Sequence, residues 1–242
     1  MMGYSFVLER KKMKRMGIPV VILALVALAF AFPMVNIKFR GLGVLKTDSS
    51  QTVAFLESHV PLIGSLNMLG LVIMAALMYV VEYQDGGMKK METLPLPIWK
   101  MFLSKALYLS LAYGLMVLLQ GVALVGAGKL LLTETKDLFD VTVCYSLQGF
   151  VLGVPIICFM LVISALFENL WVPLGVGVFG YLSGSVLPHT VPVFLLIHPF
   201  YLYTRLFTCN GSWMMKELGV AAGVAVVFLL IGCILSQEKK IG

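Results

Sequence analysis

The residue types that carry most enzyme chemistry are sparse in this chain and poorly spaced for it. The histidines are His59, His189 and His198, and no cysteine or carboxylate cluster joins them into a metal-ligand set. HExxH and GxSxG are absent. Gly121–Lys129 (GVALVGAGK) has the outline of a phosphate-binding loop, but the pattern requires glycine where Ala123 stands and serine or threonine where Leu130 stands. The cysteines Cys144, Cys158, Cys209 and Cys233 show no C-x-x-C spacing. Cys158 and Cys233 lie in apolar runs and read as packing residues. Cys144 and Cys209 fall near one face, where a disulfide is an option that spacing alone does not decide. These residues imply no catalytic centre, metal or cofactor held by the chain itself.

The elements that would position any such chemistry are apolar. Sixty per cent of the 242 residues are hydrophobic and 12% are charged, about half the roughly 25% charge of a soluble domain. A membrane-spanning helix needs about 20 apolar residues, and six segments come close: Gly17–Val35, Pro61–Val81, Ala106–Ala127, Val141–Phe167, Leu170–Leu187 and Leu218–Leu235. The fold class expected is an all-α integral membrane protein in one domain: a surface helix in 1–16, six membrane helices in 17–235 and a tail in 236–242. The first segment shares its basic start with a signal peptide, but no small-x-small site followed by a polar stretch supports cleavage. The polar residues at mid-span are neutral, among them Asn67, Gln120, Ser146, Gln148 and Ser164. Ion-coupled transporters mark themselves with intramembrane charges, so any energy for transport comes from elsewhere. Asn67, Gln120 and Gln148 either hold helices together or line a substrate path.

Orientation follows from the basic residues. With the N-terminus inside, 11 of the 18 Lys and Arg fall in inner segments, clustered at Arg10–Arg15, Lys89–Lys105 and Lys239–Lys240. Both termini are then cytoplasmic. The net charge of +6 is explained by these flanking residues and does not point to nucleic acid. Tyr4–Arg15 reads as an amphipathic helix on the inner surface of the bilayer. Val191–Leu202 is apolar but too short to span and carries Pro192 and Pro199, which suggests a re-entrant or interfacial element on the outer side. Gly219/Gly223 and Gly180/Gly184 have the GxxxG spacing of close helix packing.

The inner loop is the most informative stretch. After Glu82, Tyr83 and Asp85 come Gly86 and Gly87, where the chain can turn sharply, and Met88–Leu94 can form a short helix ended by Pro95 and Pro97. Such a helix projects from the membrane where another protein can push on it.

These residues resemble an ABC-2-type permease, the membrane half of an ATP-binding-cassette exporter. The resemblance rests on Phe6-x-x-Glu9-x-x-Lys12 before the first membrane helix and on Glu82-Tyr83-x-x-Gly86, basic residues, the LPLP turn and Lys105 after the second. Within the family the chain is most similar to permeases of lantibiotic or bacteriocin immunity and export, although it lacks the large extracellular domain of the bigger peptide-sensing permeases. The resemblance implies that Gly86–Leu94 is a coupling helix seated in a separate ATPase subunit. Glu82, Asp85, Lys89, Lys90 and Glu92 would make its polar contacts, and Gly86, Gly87 and Met88 its turn. Phe167, Glu168 and Asn169 would form a second contact, and Phe6, Glu9 and Lys12 would lie on a connecting helix. It further implies ATP and magnesium on that partner, two ATPase copies, a second permease copy (identical or related), an amphipathic peptide substrate and a bacterial cell membrane. The alternatives are a scaffold subunit without transport, or an exporter of drugs, lipids or ions.

Overall fold

The computed structural model describes residues 17–41, 43, 45, 50–83, 98–186, 197–208 and 212–238, without the side chains of residues 81, 82 and 238. The expected surface helix 4–15, the coupling segment 84–97 and the first half of 191–202 lie outside the described residues.

Among the described residues seven α-helices follow in order: α1 (Ile18–Arg40), α2 (Gln51–Tyr83), α3 (Ile98–Leu131), α4 (Leu138–Leu166), α5 (Trp171–Val186), α6 (Pro199–Thr204) and α7 (Met215–Glu238), with a 3-10 turn (Arg205–Thr208) after α6. No strand occurs among the described residues. Five helices (α1, α2, α3, α4 and α7) are long and apolar enough to cross a bilayer, and the molecule is an all-α, multi-pass membrane protein. All but α5 run past their apolar cores into flanking residues, most of all α2, which begins ten residues before Pro61. Proline is accommodated inside α1 (Pro33), α2 (Pro61) and α4 (Pro155), since neighbouring helices and hydroxyl side chains can satisfy freed backbone groups in a membrane. Ser58, Ser65, Ser104, Thr142 and Ser236 all donate to the carbonyl four residues back, so these hydroxyls carry no unmet polarity into the apolar region.

Where six spans were expected, the described residues hold five helices long enough to span and a shorter apolar one, α5. α5 has 16 residues, about 24 Å at 1.5 Å per residue, less than the roughly 30 Å of hydrocarbon. The shortfall is taken up by α6, which dips into the bundle. All six of its residues are buried, and the Tyr203 hydroxyl reaches that of Tyr113 on α3 at 3.2 Å. α5 therefore has only to reach an inserted element.

α2 and α4 form the centre: 61% of the membrane window of each is buried, against 22% for α1 and α7. α4 packs on α7, α2 and α3; α1 packs on α3 and α2; and α5 packs on α2 and α6. Cross-contacts define two ends. Tyr79, Tyr83, Phe102, Lys105, Ala165 and Gly232 meet at the end from which 84–97 departs. Asn36, His59, Gln51, Thr133 and α6 lie toward the other.

The two GxxxG pairs do different work. A Cβ at Gly184 would sit 2.8 Å from the Tyr201 nitrogen and 2.9 Å from the Phe200 carbonyl carbon, so α5 and α6 touch backbone to backbone there. Gly219 and Gly223 on α7 have nothing within 4 Å of such a Cβ.

Candidate functional site

The interior of the bundle is tied by a chain of neutral hydrogen bonds. Asn67 on α2 and Gln120 on α3 pair reciprocally: Asn67 Nδ2 donates to Gln120 Oε1, and Gln120 Nε2 to Asn67 Oδ1, both at 2.9 Å. Gln120 Nε2 also reaches the Leu25 carbonyl of α1 at 3.3 Å. The Tyr203 side chain bonds to Asn67, and the Tyr113 hydroxyl donates to the Gly149 carbonyl of α4 at 3.0 Å. Five helices are thus joined through side chains that are each at least 95% buried. The cavity beside them measures about 40 Å³ and is lined by Asn67, Gln120, Tyr145, Ser146 and Tyr203 among others, room for a few waters at roughly 10–15 Å³ each.

Of the three amides expected on a substrate path, the fold brings Asn67 and Gln120 together and places Gln148 elsewhere. Gln148 clamps the chain entering α7. Its Nε2 donates to the Ser212 carbonyl at 3.0 Å and its Oε1 accepts from the Met214 N–H at 2.9 Å, which satisfies backbone groups just ahead of the helix. Cys144 sits under the same amide, its sulfur 3.1 Å from Gln148 Nε2; Cys209 lies outside the described residues.

His59 is wholly buried. Its Nδ1 is 2.6 Å from the Phe55 carbonyl, which can only accept, so Nδ1 carries the proton and Nε2 accepts from Asn36 Nδ2 at 3.2 Å. It bolts α1 to α2; among the described residues no group of three or more histidine, cysteine and carboxylate side chains is placed to hold a metal ion. Gly121–Lys129 is continuous helix inside α3, so its backbone N–H groups are engaged and form no phosphate cradle. Sequence reasoning also passed over Tyr113. The available signal was that a tyrosine buried in an apolar run needs a partner for its hydroxyl.

At the far end, His198 caps α6. Its Nδ1 accepts from the Tyr201 N–H at 3.1 Å, so Nε2 bears the proton and donates to Ser183 Oγ at 3.2 Å, which in turn donates to the Gly180 carbonyl at 3.0 Å. Burial lowers the pKa of His198, outweighing a backbone hydrogen bond that raises it. The folded state therefore prefers the neutral ring: the cap is complete above the ordinary histidine pKa near 6.5 and is lost as pH falls from there through the lowered value. The Tyr201 amide is expected to be protected from hydrogen exchange at neutral pH and to lose protection in mild acid, after correction for intrinsic rates. Unchanged protection would remove His198 as the cap.

At the opposite end the last residue of α2, after which the expected coupling segment begins, lies close to the turn at Phe167–Asn169. The Tyr83 hydroxyl, at the end of α2, donates to the Ala165 carbonyl at 2.7 Å, and Ala165 precedes the exposed turn Phe167-Glu168-Asn169 by one residue. In that turn Asn169 Oδ1 accepts from the Trp171 N–H at 3.0 Å and starts α5. The α2 helix continues through Glu82, while Asp85, Gly86, Gly87, Met88, Lys89, Lys90 and Glu92, like Phe6, Glu9 and Lys12, lie outside the described residues.

The family model for ABC-2 family transporter proteins matches residues 5–184, from the expected surface helix through α5. The chain belongs to the ABC-2 transporter family. No curated protein matches it significantly. As an ABC-2 permease it is a transmembrane component of an ABC transporter, a membership that implies partnership with an ABC ATPase subunit. The permease's hydrogen-bonded interior and the contact of Tyr83 with the end of α4 are the features that bear on its function.

Proposed function

We propose that this permease is the membrane subunit of an ATP-driven exporter that moves an antimicrobial peptide, or another amphipathic substrate, out of the cell or its membrane. Two copies, identical or related, face one another, and two ATPase subunits dock on the cytoplasmic end, where both termini lie. ATP binding on the partners draws them together. Their motion enters the bundle through Gly86–Leu94, with Phe167–Asn169 and the 4–15 helix as flanking contacts. The family match carries this reading, because it runs through all three stretches. The interior supports a path between two copies: one bundle is tied across by Asn67, Gln120, Tyr203 and Tyr113 and leaves only about 40 Å³ beside them. A neutral, largely apolar wall suits a substrate that enters from lipid.

The tagged chain, purified from its native membranes in mild detergent, is expected to bring down a stoichiometric ABC ATPase. Scrambling Met88–Leu94 is expected to release that ATPase without lowering the yield of the chain. Recovery of the chain alone in several detergents and in nanodiscs would overturn the exporter reading in favour of a scaffold. Cells expressing the complex are expected to retain less of an added cationic amphipathic peptide than cells without it; equal retention would exclude peptide export.

A further inference from the structure

Tyr83 is the last residue of α2, and its neighbours make it more than a helix end. Tyr79 and Tyr83 share one face at i, i+4, with ring centroids 6.2 Å apart and planes within 29°. The Lys105 ammonium, on the second turn of α3, stands 5.2 Å from the Tyr79 ring centroid. Lys105 is only 2% exposed, and a cation over an aromatic face is most strongly held where water is excluded. The Ala165 carbonyl that accepts from Tyr83 lies in the last turn of α4, at the negative end of the helix dipole. One cluster thus gathers the end of α2, the start of α3 and the end of α4. It sits between the exit into 84–97 and the turn that starts α5.

We propose that Tyr83 is the positioning residue that carries displacement of the 84–97 segment into α4 and α5, through its hydrogen bond to the Ala165 carbonyl, with Lys105 and Tyr79 holding its ring in register. The proposal rests on the ABC-permease reading and adds the route by which force leaves the coupling segment. A tug on residue 84 acts first on Tyr83. Within one 2.7 Å contact it reaches the last turn of α4, and through Phe167–Asn169 it reaches the start of α5. Without the hydroxyl the same tug would be spent in bending the end of α2.

The test is hydrogen exchange on the full permease–ATPase complex in nanodiscs, nucleotide-free and trapped with ATP and vanadate. In the wild type, trapping is expected to alter exchange in both 84–97 and 163–172. Tyr83→Phe keeps the ring and removes only the hydroxyl. It should leave ATPase co-purification, nucleotide-free exchange and the 84–97 response unchanged, while the response at 163–172 shrinks about five-fold, the low end of coupling between sites. A purely structural role would shift the nucleotide-free exchange instead. A wild-type response at 163–172 in Tyr83→Phe would overturn the proposal and leave the permease reading intact. If no ATPase co-purifies with the wild type, or trapping changes nothing at 84–97, the permease reading itself fails and the junction with it.

Discussion

Replacing Gln120 by leucine is expected to destabilise the bundle by about 1–3 kcal/mol, the cost of leaving a buried polar partner unsatisfied. The substitution removes both bonds to Asn67 and the one to the Leu25 carbonyl, so α1, α2 and α3 lose their shared tie at once. Interhelical hydrogen bonds in membranes average only about 0.6 kcal/mol when measured by double-mutant cycles. Most of the loss therefore comes from the Asn67 amide groups left without Gln120, with Tyr203 still bonded to Asn67, rather than from the bonds themselves. The double variant Asn67→Leu/Gln120→Leu, which leaves no orphaned amide in the pair, is expected to be more stable than Gln120→Leu alone. Unfolding in mixed micelles measures both. A single variant as stable as wild type would mean that the pair is not a structural tie and would return Asn67 and Gln120 to candidacy as a substrate lining.

Gly184→Ala is the second large effect. The added methyl would meet backbone atoms of Phe200 and Tyr201 at 2.8–2.9 Å, and backbone cannot rotate aside as a side chain does. Overpacking of this kind costs about 1–3 kcal/mol, and here it would prise α6 from α5 and strain the His198–Ser183 contact. Gly219→Ala is the matched control. It adds a methyl where nothing lies within 4 Å, and in a helix interior alanine is favoured over glycine by roughly 0.5–1 kcal/mol. Thermal midpoints of the purified chain should fall for Gly184→Ala and hold or rise for Gly219→Ala. Equal midpoints would mean that the close approach of α5 to α6 is dispensable.

What was legible in the sequence follows the same physics. Long apolar runs are a demand of the bilayer, so six apolar segments, five of them long helices here, and a short non-spanning element at Val191–Leu202 could be read before any coordinates. Helix ends could not, because hydropathy stops where polar residues begin, whereas α2 continues through Ser58 and His59 by satisfying them internally. Lys105 read as an ordinary flanking charge; only the fold lays it over Tyr79, since that contact joins residues 26 positions apart. Asn67 and Gln120 were singled out as polar within apolar runs, but their pairing across 53 positions could not be read from spacing. Gln148 looked equivalent to them and is a clamp on the start of α7, a role that depends on where Ser212 and Met214 return.

The knotted interior also bears on what the protein does when idle. A membrane that stores its energy as ion gradients tolerates no standing leak, and an exporter must wait between cycles without becoming one. In this bundle Asn67, Gln120, Tyr113 and Tyr203 are hydrogen-bonded to one another or to the backbone, and the cavity beside them, about 40 Å³, has room for a few waters rather than a column of them. A proton entering it finds no carboxylate or imidazole among the residues that line it. Among the described residues, then, this cavity offers no relay of carboxylates or imidazoles by which a proton could cross the bundle.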